Sequence, residues 1–236
     1  MQKISLCITN YNRNAYLFKS FEHVINDDRI GEVVISDDFS NEELFNAVKE
    51  KCKQFPKVKL FRNESNLGCY ANKHKSVSLA QYEYCIVFDS DNVLSTDYLD
   101  AIYSQEWSSK VILAPDFASP VFDYRQFGGI TFNKTNVSEY VFKKGFDCLI
   151  NTMNYFVHRD SYLSVYQPKD GIKGADSIYM NYLWLLCGNE IKVVKGMKYF
   201  HRIEHEKTEQ KSNYVSFAKD SAPMCDSLLQ IIASMR

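Results

Sequence analysis

A chain of 236 residues has room for one large domain with a core of its own. Its 28 Lys and Arg are balanced by 29 Asp and Glu, so it lacks the basic excess of a sequence-independent nucleic-acid binder. The seven cysteines are scattered, odd in number and never in a C-x-x-C, and they read as core thiols of a protein kept in a reducing compartment. No signal-peptide pattern opens the chain, and no apolar run approaches the roughly 18 residues of a membrane span. A cytoplasmic protein is expected.

The first half alternates between two periods. "KISLCIT" reads as a strand, and "NAYLFKSFEHVI", Asn14 to Ile25, carries apolar residues at helical spacing. "EVVIS" is a second strand. Ser40 with Glu43 forms a capping-box string ahead of the helical "NEELFNAVKEKCKQF". "KVKLF" is a third strand, Cys69 to Ala80 a helix, "YCIVF" a fourth strand, "TDYLDAIYSQEW" a helix and "KVILAP" a further strand. Strands alternating with helices of this length predict βαβ crossovers and a mainly parallel, twisted sheet.

From about Asp116 the pattern loosens. A strong helix, "ADSIYMNYLWLLCG", stops at Gly188, strand-like "IKVVKGMKYFH" follows, and an amphipathic helix is predicted last. The expectation is one α/β domain over 1–236. Residues 1–110 would be its ligand-binding half and 111–236 a less regular second half.

Ligands of such sheets gather outside the carboxyl ends of the strands. Polar residues stand there in number: Thr9, Asn10 and Tyr11 end the first strand, Asp37 and Asp38 the second, Asp89 and Asp91 the fourth. In "CIVFDSDN" a fully apolar strand runs into two carboxylates separated only by Ser90. Burying them requires solvation, an ion-pair partner or a cation. Two hard oxygen donors on one corner suit Mn²⁺ or Mg²⁺, with substrate phosphates completing the shell. A solvated acidic turn is the plainer alternative.

Taken together, "ISLCITNYNRNAYL", "VVISDDFSNEE", "NLGCYANKHKSVSLA" and "CIVFDSDN", in this order and at these distances, resemble the nucleotide-binding half of family 2 glycosyltransferases of the GT-A fold. The resemblance covers about the first 110 residues closely and the rest loosely. It implies a Rossmann-like three-layer α/β fold with a less regular acceptor-side half. It also implies sugar transfer, with inversion, from a nucleoside-diphosphate donor (UDP-sugar by expectation) to a hydroxyl of a glycan or similar acceptor. Residues implied at the donor are Thr9, Asn10, Tyr11, Arg13, Asp37, Asp38, Asn66, Gly68, Lys73, Asp89 and Ser90. Lys73 stands where the family usually has Arg, and a lysine lacks the bidentate fork. Asp91 is implied as metal ligand. "KGADSIYMNYLWLL" is similar to the segment that carries the catalytic base, which points to Asp176, although the family often has two acids in a row there and this chain has Ala175. An inverting transfer needs such a base for the acceptor hydroxyl proton; without the resemblance, Asp176 reads as a first-turn acid favoured by the helix dipole.

GT-A enzymes often supply a late histidine to the metal; His201 is the candidate and His205 the second choice. Sugars stack on aromatic faces, so the acceptor site is sought around Tyr124, Phe127, Asn154, Tyr155 and Trp184. Two other readings use the same carboxylates or none. "DSDNV" also fits the nucleophile string of haloacid-dehalogenase-type phosphatases, with Asp89 attacking phosphorus and Asp91 as acid/base. A GT-A domain that binds sugar nucleotide or glycan without turnover is the third. "HRIEH" matches a zinc-peptidase string but lacks the helical context that string needs.

Overall fold

The computed structural model describes residues 1–172, 174–201 and 210–235. In chain order its elements are β1 (Ile4–Asn10), α1 (Asn14–Leu17), β2 (Ile30–Asp37), α2 (Glu42–Cys52), β3 (Val58–Arg62), α3 (Cys69–Ser78), β4 (Tyr84–Asp89), β5 (Val93–Leu94) and α4 (Thr96–Tyr103). The second half adds β6 (Val111–Ser119), β7 (Phe122–Asp123), β8 (Thr131–Phe132), α5 (Phe146–Ile150), β9 (Tyr155–His158), α6 (Arg159–Val165), α7 (Asp176–Leu186), β10 (Glu190–Phe200) and α8 (Gln210–Ala233).

One sheet runs through both halves in the order β3-β2-β1-β4-β9-β6-β10-β5, with β7 on β6 and β8 on β10. Strands β3, β2, β1 and β4 are mutually parallel, as βαβ crossovers require. Strand β9 comes from the second half and inserts antiparallel between β4 and β6. The two halves therefore share a continuous backbone ladder. Strands β1 and β4 sit inside the sheet under helices, and Leu6, Cys7, Ile8, Ile86, Val87 and Phe88 have no exposed surface. Among the described residues no helix is long and apolar enough to cross a membrane.

Two local expectations change. The helix predicted over Asn14–Ile25 closes after Leu17 and passes through a 3₁₀ turn at Phe18–Ser20. Ser20 Oγ donates to the Leu17 carbonyl at 2.6 Å, a local bond that competes with the helical ladder. The apolar pattern was core spacing all the same, because Leu17, Phe18, Phe21, Val24 and Ile25 are all buried. The capping box does not form either. Ser40 is turned toward Asp37, donating to its carboxylate at 2.6 Å, while α2 starts from Asn41 without a side-chain cap. Helix α7 ends as predicted, with Gly188 in the left-handed region at φ 79°.

Candidate active site

The carboxyl ends of β1, β2 and β4 lie side by side, with Asn10 opposite Asp37 and Thr9 opposite Asp89. Asp37 has no exposed surface. Its carboxylate accepts from Asn10 Nδ2 (2.9 Å), Ser40 N (2.9 Å) and Ser40 Oγ (2.6 Å). Ser40 Oγ in turn accepts from Asn12 N, so Asp37 ties the loops after β1 and β2 together. Asp38 is nearly as buried and fixes the loop before α3. Its carboxylate accepts from Asn63 Nδ2 (3.0 Å), Leu67 N (2.8 Å) and Gly68 N (2.9 Å). Asn66 Nδ2 donates to the Asp38 carbonyl. Gly68 has φ 82° with open space where a Cβ would point, so conformation, not crowding, calls for glycine there.

Helix α3 is locked to β2 through Asn72, which accepts from Ser36 Oγ and donates to the Ser36 carbonyl. The next residue is Lys73, whose side chain is only 8% exposed. Its Nζ donates to Asp176 Oδ2 at 3.0 Å and stands 3.2 Å from Asp89 Oδ1. Burial alone would lower its pKa, but the opposing charges of Asp176 and Asp89 outweigh that and hold the ammonium well above its ordinary range. One cation thus joins the first carboxylate of D-S-D to the first-turn acid of α7.

Asp89 and the helix that carries Asp176 are each held from behind. Asn154, one residue before β9, accepts from Asp89 N (2.9 Å) and donates to Asp89 Oδ2 (3.1 Å). The start of α7 is pinned by Asn151, which accepts from Ile178 N, and by Asn181, which donates to the Ile150 and Thr152 carbonyls. Asp91 pairs with Arg13, a contact between a side chain 15% exposed and one 44% exposed. Ser90 between the two aspartates is buried. Strand β10 ends with Phe200 opposite Val93, so His201 follows directly beside the strand that Asp91 leads into. The His201 amide donates to the Ser119 carbonyl, and its ring meets Phe122 edge-on at 5.0 Å.

Thr9, Asn10, Tyr11, Arg13, Asp37, Asp38, Asn66, Gly68, Lys73, Asp89, Ser90, Asp91, Asp176 and His201 accordingly gather around the strand mouths. Of these, Tyr11 presents half its surface to solvent. The acceptor-side aromatics do not join them as exposed faces. Tyr124, Phe127, Tyr155 and Trp184 are 3%, 2%, 1% and 0% exposed and belong to the core, which corrects the expectation that they offer stacking surfaces. Trp184 Nε1 is used on the Glu190 carbonyl at the far end of α7. Asn154 is likewise occupied with Asp89 rather than presented to an acceptor. Its part in holding Asp89, and those of Asn72 and Asn151, had no signal in the sequence beyond polar residues beside buried elements. His205 and the rest of "HRIEH" after His201 lie outside the described residues.

Residues 5–105 match the family model described as Glycosyl transferase family 2. A Salmonella typhimurium protein, abequosyltransferase RfbV, is 37% identical over 102 residues, covering 41% of this chain and 30% of that protein. A Campylobacter jejuni protein, the GalNAc(5)-diNAcBac-PP-undecaprenol beta-1,3-glucosyltransferase, is 27% identical over 104 residues, covering 43% and 34%. The chain spans about a third of the length of these curated relatives. Among solved structures, S. aureus TarS 1-349 in complex with UDP-GlcNAc aligns over 97% of this chain and 70% of its own, at TM-score 0.68 and 18% identity. GalNAc-T7 with UDP, GalNAc and Mn²⁺ aligns over 92% and 48%, at TM-score 0.63 and 18% identity. At such identity the likeness is one of fold.

Proposed function

Because the chain is a family 2-like glycosyltransferase with a GT-A fold, we propose that it transfers a sugar from a nucleoside-diphosphate donor, a UDP-sugar, to a hydroxyl of a glycan acceptor, with inversion. The observation that carries this reading is the Asp89–Lys73–Asp176 cluster, in which donor-side and acceptor-side acids meet at one buried cation. TarS, which shares the fold, has been solved with UDP-GlcNAc, and GalNAc-T7 with UDP and Mn²⁺.

Residues 1–110 hold the donor in this reading, and 111–236 supply the base and the acceptor surface. Tyr11 gives its exposed ring to the base of the nucleotide, while Asp37 and Asp38 hold the loops that frame it, with the backbone around Thr9, Asn10 and Asn66 as its edge. Arg13 brings positive charge to the diphosphate side.

Asp91 and His201 suit a divalent cation by chemistry, one offering a hard carboxylate oxygen and the other an imidazole nitrogen beside the same strand end. Among the described residues no group of three metal-ligating side chains is assembled, so the substrate's phosphates would have to fill the remaining positions. Bound there, Mn²⁺ or Mg²⁺ would offset the charge that develops on the departing diphosphate. Asp176 accepts the acceptor hydroxyl proton as its oxygen bonds to the anomeric carbon. The bond from that carbon to the phosphate oxygen breaks, and the diphosphate leaves with the electron pair. The rigid supports of Asp89 and Asp176 keep donor and base in register, which lowers the entropic part of the barrier.

The test is incubation with a panel of UDP-sugars and Mn²⁺, alongside a generic phosphate ester. The expected result is UDP release from at least one sugar nucleotide, increased by a hydroxyl acceptor. Phosphate release from the ester with no UDP release would favour the phosphatase. Binding of UDP-sugar without any turnover would favour a non-catalytic domain.

A further inference from the structure

Lys73 fills the slot in which a cation is expected to touch the donor, yet its two charged neighbours are both protein carboxylates. It belongs to α3, in the donor half, and Asp176 to α7, which lies 103 residues further along the chain. A buried ammonium has three N–H groups; one donates to Asp176 Oδ2, and Asp89 Oδ1 stands 3.2 Å from the same nitrogen as its ion-pair partner. A compact charge on a flexible stem can serve two carboxylates at different angles, where a planar guanidinium would favour one of them face-on. Without Lys73 no cation would stand between the two acids, and like charge would drive their side chains apart. Asp176 itself is only 8% exposed, and Lys73 is the one charged partner within ion-pair distance of it among the described residues.

We propose that Lys73 is a positioning residue for the general base: it holds the Asp176 carboxylate oriented against the donor-side Asp89, so that the base is aimed through the same cation that marks the donor site. This deepens the proposed transferase reading and rests on it. Asn154 completes the chain of contacts, because it fixes the other oxygen of Asp89 and so fixes where Lys73 can sit. The consequence is specific. A cation serving only as a donor contact acts on donor affinity, whereas a cation that positions the base acts on the chemical step.

The experiment is steady-state transfer by Lys73→Met, Lys73→Arg, Asp176→Asn and the Lys73→Met/Asp176→Asn double variant, each with donor KM and kcat separated. Lys73→Met should lower kcat on the order of 100-fold, within the range a misplaced base forfeits, with donor KM nearly unchanged. Lys73→Arg keeps the charge and should recover part of kcat. The double variant should be no slower than Asp176→Asn alone, since residues that act as one unit do not lose independently. A raised donor KM with normal kcat in Lys73→Met, or losses that multiply in the double variant, would overturn the proposal. If Lys73→Met does not fold, Lys73→Arg carries the same test: the longer fork moves Asp176, so kcat should fall while donor KM holds, and the reverse pattern overturns it. Normal turnover by Asp176→Asn would instead strike the transferase base assignment itself, which keeps the two failures apart.

Discussion

Asp176→Asn should bind the donor as the parent chain does and lose transfer by about 10²- to 10⁴-fold, the usual worth of a general base. The substitution is nearly isosteric, and the amide oxygen can still accept from Lys73 Nζ, so the start of α7 keeps its shape. What disappears is the site for the acceptor proton. Helix α7 also remains pinned by Asn151 and Asn181, whose side chains bond to other groups than the Asp176 carboxylate. A purely structural role as a first-turn acid at a helix N-terminus would be worth only about 0.3–1 kcal/mol of stability and would leave kcat alone. Steady-state kinetics with donor and acceptor varied in turn decides between them: turnover equal to the parent chain's removes Asp176 as the base.

The second large effect is expected at Asp91. Asp91→Ala should abolish metal-dependent strengthening of donor binding and leave the fold intact. Its ion pair runs to the half-exposed Arg13, and a pair with one solvated partner contributes little to stability. Strand β4 and the Asp89 contacts with Asn154 and Lys73 do not depend on it. Calorimetric titration of the donor with and without Mn²⁺ reads the effect. Affinity for the donor that stays metal-dependent in Asp91→Ala would remove this residue as the cation's carboxylate.

The parallel half of the fold was legible because its signals are local. "CIVF" and "EVVIS" are strands buried on both faces, and such strands need no partner to be recognised. Helix α7 announced its end at Gly188, where the backbone turns left-handed. The misreadings arose where a local pattern had a competitor. Ser40 and Glu43 spell a capping box, but the Asp37 carboxylate, three residues before Ser40, takes the hydroxyl first. The apolar spacing after Asn14 is that of a helix, yet Ser20 closes a tighter turn. Tyr155 and Trp184 show why aromatic content does not locate a sugar site: the sequence carries the ring but not the face of the element on which it stands.

The candidate cluster was legible residue by residue and not as a cluster. Asp89, Asp91 and Asp176 stand out through the resemblance and their positions at element ends. The bridge between Asp89 and Asp176 depends on β9 inserting antiparallel beside β4, a pairing between residues more than 60 positions apart. That pairing brings Asn154 onto Asp89, and α3 brings Lys73 between the acids. No periodicity within either segment encodes that meeting.

Whether the strand mouths form a nucleoside-diphosphate site completed by a cation is decided by calorimetric titration of UDP into the unmodified chain, with Mn²⁺ and then with the metal chelated. Saturable binding with Mn²⁺ that weakens at least tenfold on chelation, a difference of about 1.4 kcal/mol, is expected. Binding of equal strength in both conditions, or no heat of binding for UDP, GDP, CDP or dTDP in either, would contradict it.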